Sequence, residues 1–203
     1  MSSNGVRKES PLIEFNAAER SALAERGVRL REKPFLGHVN VRGDTGDNAF
    51  LNAVKTAAGI DLPLEANTYS TGGDVTALWL GPNEWLLICP VDGGSSIADA
   101  LRKSLGDTFA SVTEISGGQT VINIAGEHAR DVLAKGCSLD LHPRVFGPGR
   151  CAQSLVAKAG VTLRQNDVSP SFDLIVRRSF ADYLAQWLED AAAEYGLEVA
   201  TAE

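Results

Sequence analysis

The chain has 203 residues, a formal net charge of −7, and hydrophobic and charged fractions of 44% and 22%. That composition suits a folded globular protein with a sizeable core. It argues against nucleic acid or an anionic membrane as partner, and no apolar run approaches the roughly 18–20 residues that cross a bilayer. Met1 to Ser10 carry no apolar signal-like segment, and three cysteines suit reduced thiols better than a disulfide framework. The expectation is a soluble, cytoplasmic protein.

Residues 1–34 read as an N-terminal arm. Asn16 can cap a short helix anchored by Leu23, while Gly5, Pro11, Gly27 and Pro34 punctuate the segment. Such an arm would lie on the body of the protein or on a partner, or remain a free tail.

From residue 35 a pattern appears twice. Phe35 to Arg42 alternates as a strand and ends at Gly43; Asp44 can then cap a helix with Phe50, Leu51, Val54 and Ala58 on one stripe, closed by Gly59. A Pro-broken connector, Ile60 to Leu64, precedes two strands, Val75–Leu80 and Glu84–Cys89, joined by Gly81-Pro82-Asn83 as a hairpin turn. Ser96 and Asp99 form an approximate capping box for a helix that runs through Leu105.

The second pass opens with the strand Thr120–Ala125 and Gly126, then a helix from Glu127 to Lys135. The connector Cys137 to Pro143 again pairs Leu-x-Leu with a proline. Strands are predicted over Ala152–Leu163, broken near Gly160, and over Ser171–Val176. A last helix opens at Ser179 with Asp182, burying Phe180, Tyr183, Leu184, Trp187, Leu188, Ala191 and Tyr195. Gly43 maps to Gly126 and Ser96/Asp99 to Ser179/Asp182, both pairs 83 residues apart. The reading is an α+β protein of two tandem βαββα units, 35–110 and 111–203, packed together because each alone is small for a core.

The sequence contains no G-x-G-x-x-G, P-loop, H-E-x-x-H or C-x-x-C motif. The glycine pairs at 72–73, 93–94 and 117–118 fall between predicted elements and read as turns. His38, His128 and His142 sit on a strand, a helix and a connector, without zinc-ligand spacing; Cys137, His142 and Cys151 are the weak exception. Asp140, flanked by leucines and followed by His142, could serve acid–base chemistry or simply bond backbone N–H groups in a turn. Trp79 and Trp85 bracket the hairpin tip and read either as core or, with Pro82 and Asn83, as a partner-binding edge. Trp79, Pro82, Asn83, Trp85, Asp140 and His142 are therefore the candidate interface residues; no catalytic, cofactor or metal residue is assigned.

Several runs carry a resemblance. Ser10-Pro-Leu12, Val41-Arg-Gly43, Leu78-Trp-Leu-Gly-Pro-Asn-Glu-Trp-Leu-Leu87, Val132 to Pro143, Phe146, Gly149-Arg-Cys-Ala152 and Arg178 to Leu184 with Trp187-Leu188 resemble the gamma subunit of heterotetrameric sarcosine oxidase. Ser138 and Gly147 stand where that pattern has proline. The resemblance implies a non-catalytic subunit partnered by alpha, beta and delta chains, chiefly alpha. It implies FAD, FMN, NAD and zinc held by those other chains and none by this one. The complex would demethylate sarcosine oxidatively to glycine, with hydrogen peroxide and either formaldehyde or a tetrahydrofolate-captured carbon as products. The fold implied is that of the folate-binding region of glycine-cleavage aminomethyltransferases, and an independent folate-binding or one-carbon module is the other function it allows.

Overall fold

The computed structural model describes residues 8–17 and 27–200. A short helix α1 (Ile13–Ala17) precedes β1 (Val28–Lys33), β2 (Leu36–Gly43), α2 (Asn48–Ala58), β3 (Tyr69–Gly72), β4 (Val75–Gly81), β5 (Glu84–Val91), α3 (Gly94–Leu105) and β6 (Ala110–Glu114). The second half contributes β7 (Gln119–Ala125), α4 (Ala129–Ala134), β8 (Cys151–Val156), β9 (Ala159–Gln165), β10 (Ser171–Arg177), α5 (Ala181–Ala192) and β11 (Leu197–Ala200). The strands form two sheets, ordered β3-β4-β5-β2-β6 and β8-β9-β10-β7-β1-β11.

Period-two alternation sorts the side chains into layers. Val39, Val41, Trp85 and Leu87 of the first sheet pack with Phe50, Val54 and Leu101 of α2 and α3. Ile122, Ile124, Phe172 and Leu174 of the second pack with Val132, Leu133, Leu184 and Leu188 of α4 and α5. The opposite faces meet each other through Leu78, Leu86, Ile88, Val121, Cys151 and Ile175. The result is an α+β stack of helices, sheet, sheet and helices, in agreement with the doubled α+β reading.

The duplication is more intimate than two consecutive units. By sheet position, β2, β4 and β5 correspond to β7, β9 and β10, and β6 corresponds to β1. Yet β1 immediately precedes β2 in the chain and pairs antiparallel with β7 of the other sheet, while β6 immediately precedes β7 and pairs antiparallel with β2. Each unit lends its first strand to its partner, so neither sheet is complete without the other half of the chain. Two expected boundaries are corrected accordingly. Residues 28–33 belong to the second sheet rather than to an arm, and a boundary at 110/111 would cut β6, which belongs to the first. The short strands β3, β6 and β11 escaped the sequence reading because they are only four or five residues long and lack a sustained apolar alternation.

Local details also differ. The cap of α2 is Asp47, whose carboxylate accepts from the Ala49 N–H at 2.8 Å, while Asp44 accepts from Gly46 in the turn before it. Helix α3 begins at Gly94, with Gly93 at the cap position, and α5 follows a 3-10 turn at Arg178–Phe180, both without a side-chain cap. Asp99 pairs instead with Arg102, and Asp182 accepts from Gln186. Phe180 and Tyr183, expected inside, stand half-exposed and edge-on to each other: Phe180 lies in the 3-10 turn before α5, and the buried stripe of α5 runs through Ala181, Leu184, Ala185, Leu188 and Ala192, leaving Tyr183 beside it. The break between β8 and β9 falls at Ala157–Lys158, with Ala157 in the left-handed region (φ 51°), rather than at Gly160. Asn16 lies inside α1 rather than capping a later helix, and Leu23 lies outside the described residues.

The repeated glycines have a packing reason. A Cβ at Gly43 would stand 2.3 Å from the Phe50 ring, and one at Gly126 would stand 2.4 Å from the Gly27 carbonyl oxygen. Gly126 also has φ 118°, which L side chains rarely adopt.

Candidate functional site

The hairpin singled out in the sequence forms where expected, with Trp79 opposite Trp85 across β4 and β5. The two rings share the helix-facing side, and this decides their role. Trp85 is fully buried, 5.8 Å from the Phe50 ring by centroids, and its Nε1–H donates to the Pro63 carbonyl at 2.8 Å. It is a core residue, which removes it from the candidate interface; Trp79 packs half-buried against the same cluster. Pro82 and Asn83 are exposed at the tip. Glu84 accepts from Asn40 at 2.8 Å and Arg42 at 2.5 Å, and chiefly the Arg42 hydrogen bond holds its carboxyl below the usual range.

Asn83 is one wall of a mainly apolar groove of about 610 Å³ that also involves Arg42, Asp44, Ala110 and Phe109. Phe109 is 97% exposed, the most exposed large apolar side chain among the described residues. Sequence reasoning missed it because a lone phenylalanine after a helix carries no periodic signal. Around the corner, a second cleft of about 470 Å³ opens between the sheets, lined by Asn40, Glu84, Gln119, Gln153, Arg177 and Phe180 among others.

Asp140 and His142 lie elsewhere, on the exposed connector after α4, and line neither space. Asp140 Oδ1 accepts from the His142 N–H at 2.9 Å, and His142 Nδ1 accepts from the Arg144 N–H at 3.2 Å. Both side chains thus serve the local turn. The connector is anchored by Arg130, which donates to the Leu141 carbonyl and to Gln165 Oε1 at 2.9 Å while lying over the Phe172 ring. A folate-holding acid in a central cavity is therefore not what Asp140 supplies.

Cys137, His142 and Cys151 do not assemble. Cys137 sits in the α4/α5 core beside Ser154, and Cys151 in the layer between the sheets, its thiol directed at the Thr68 carbonyl. Among the described residues no group of three His, Cys, Asp or Glu side chains is placed to hold a metal ion. Burial pushes the Cys89 and Cys151 thiols up to about 11, which makes both poor nucleophiles.

The chemistry that the sequence hid lies between the sheets. Asp173, 1% exposed on β10, receives Lys33 Nζ at 2.8 Å, Arg164 Nη2 at 2.8 Å and Asn123 Nδ2 at 2.8 Å. Burial opposes its ionisation, but the two cations beside it win and hold its carboxyl below the usual range. Arg164 also donates to Thr76 of the other sheet at 3.2 Å, so the cluster ties the layers together. His38 on β2 is 1% exposed, neither ring nitrogen makes a hydrogen bond of full geometry, and burial lowers its pKa to about 4 against the pull of the nearby Leu36 backbone. The one clue in the sequence was a charged residue, Asp173, at an apolar strand position.

Fold and site together define a doubled sheet scaffold whose buried charges bind the protein to itself and whose outward features are a groove, a cleft and an exposed aromatic ring. The sequence model of the sarcosine oxidase gamma subunit family matches residues 42–194. Sarcosine oxidase subunit gamma of Corynebacterium sp. (strain P-1) is 36% identical over 84% of this chain and 83% of its own length. That of Corynebacterium sp. (strain U-96) is 33% identical over 93% and 91%. The solved heterotetrameric sarcosine oxidase from Corynebacterium sp. U-96, in complex with pyrrole 2-carboxylate, contains a chain that superposes with a TM-score of 0.83 at 32% identity, over 93% of this chain and 96% of that one. The chain belongs to the sarcosine oxidase gamma subunit family. Its fold is aminomethyltransferase-like: glycine cleavage system aminomethyltransferase T from Bartonella henselae matches with a TM-score of 0.63 at 14% identity, over 88% of this chain and 48% of that one.

Proposed function

We propose that this chain is an assembly subunit of a heterotetrameric sarcosine oxidase and supplies no catalytic residue of its own. The observation that carries the reading is the end-to-end likeness to a chain of a solved heterotetramer. It is supported by a surface that leaves Phe109 bare beside a groove lined by Arg42, Asp44, Asn83 and Ala110, an aromatic side chain of the kind enriched at partner interfaces. In this reading the complex is cytoplasmic and contains alpha, beta and delta subunits, of which the large alpha chain is the main contact. The complex oxidatively demethylates sarcosine to glycine, yields hydrogen peroxide, and releases the one-carbon unit as formaldehyde or passes it to tetrahydrofolate. FAD, FMN, NAD and zinc reside on the other subunits. The test is co-expression of this chain, tagged, with the alpha, beta and delta chains. Retention of all three through affinity and size-exclusion steps supports the reading, and recovery of the tagged chain alone refutes it.

A further inference from the structure

The internal duplication leaves one position unequal. In the second sheet, β11 lies parallel to β1 outside it, with Val28 opposite Leu197 and Arg31 opposite Ala200. In the first sheet β6 holds the place of β1, and among the described residues no strand lies outside it. The register identifies the equivalent stretch: Ser111 faces Arg42 as Arg29 faces Ala125, with Gly43 matching Gly126, so Ala110–Thr113 takes the place of Val28–Arg31.

The outer edge of β6 carries the backbone pattern that strand pairing uses. Ile115 N–H donates to the His38 carbonyl, and the antiparallel register then turns Ser111 and Thr113 inward to β2. The backbone groups of Ala110, Val112 and Glu114 face outward. Arg102 of α3 donates to the outward Val112 carbonyl at 3.2 Å. By the 83-residue offset its counterpart in the half that has the extra strand is Ala185, which is buried. A long, exposed side chain thus covers the edge where the other half has backbone. Ala110 and Val112 pack on the helix side, as Val28 and Leu30 do beneath Leu197 and Val199. Phe109 stands bare at the head of the strand.

We propose that a partner subunit of the oxidase completes the first sheet by adding an extended segment parallel to β6, opposite Ala110–Thr113, in the place that β11 fills in the second sheet. The inference rests on the assembly reading above. The incoming segment carries apolar side chains at the two alternate positions opposite Ala110 and Val112. Its preceding residues cover Phe109, and the Arg102 guanidinium gives way to its backbone. Main-chain pairing supplies affinity, and the alternate pockets supply specificity.

Amide hydrogen exchange on this chain, free and within the complex formed with the co-expressed alpha, beta and delta subunits, reads the pairing directly. Slowing by 100-fold or more at alternate outward amides of residues 110–114, with Ser111 and Thr113 protected in both states, supports strand addition; unchanged exchange at the outward amides overturns it. Val112→Pro removes an outward N–H and leaves the β2 ladder intact. It is expected to weaken retention in the complex at least tenfold while the free chain melts within a few degrees of the parent. Equal retention overturns the proposal, and if the variant does not fold, the exchange pattern of the parent decides. If the unmodified chain fails to enter the complex, the assembly reading falls, and the strand addition with it.

Discussion

His38 is the sharpest place to test the inter-sheet layer. It is neutral in the folded chain because burial lowers its pKa from 6.5 to about 4, outweighing the raising influences of the Leu36 backbone and, after it, of Glu114. In the unfolded chain it takes up a proton below about 6.5. As pH falls from 6.5 towards 4 the unfolded state therefore binds the extra proton, and folding stability is lost over that window; below it both states are protonated and the loss stops. The span corresponds to about 3 kcal/mol in full, and about 2.5 kcal/mol is lost by pH 4.5. Urea unfolding at pH 7.5, 6.5, 5.5 and 4.5 of the parent and of His38→Leu measures it. The variant has no ring to protonate, so its stability should fall less steeply by about that amount. Whatever packing change the leucine makes shifts the variant's curve without altering its slope. Parallel curves from pH 7.5 to 4.5 would refute the reasoning, since they would mean that His38 is solvated or already paired.

Asp173→Asn leaves Lys33 and Arg164 facing a neutral group in the buried layer; a loss of about 3 kcal/mol is expected in denaturant titration. Gly43→Ala drives a methyl group into the Phe50 ring and should cost about 1–3 kcal/mol, read as a lowered thermal midpoint. Trp85→Phe forfeits the Pro63 hydrogen bond and core volume and should cost about 2 kcal/mol in the isolated chain. Phe109→Asp should leave the free chain's melting curve unchanged and reduce co-purification with the other subunits.

Much of this was legible in the residues. The strand β2 announces itself by alternation, β4, β5, β7 and β10 by short, mostly apolar runs bounded by turn residues, and the hairpin by Gly81-Pro82-Asn83. The paired glycines 43 and 126 mark the duplication because the space beside each excludes a side chain. The exchange of β1 and β6 was not legible. Arg29, Arg31, Glu32 and Lys33 make β1 look like a polar arm. Only the tertiary structure shows that Glu32 accepts from Ser10, Asn16 and Thr120 while Lys33 turns to Asp173. The candidate interface fared unevenly for the same reason. Trp85 and Asp140 are similar in sequence prominence, yet one anchors the core and the other bonds its own turn. Phe109, which no periodicity marks, is the residue left bare.

In the function proposed above, this chain is a required structural part of a larger oxidase. The most direct test is to express alpha, beta and delta subunits with and without it, and to measure the size of the complex and its sarcosine-dependent production of hydrogen peroxide. A stable, active four-chain complex is expected with the chain, and an incomplete or unstable one without it. A fully assembled oxidase of undiminished activity that lacks this chain would contradict the proposal.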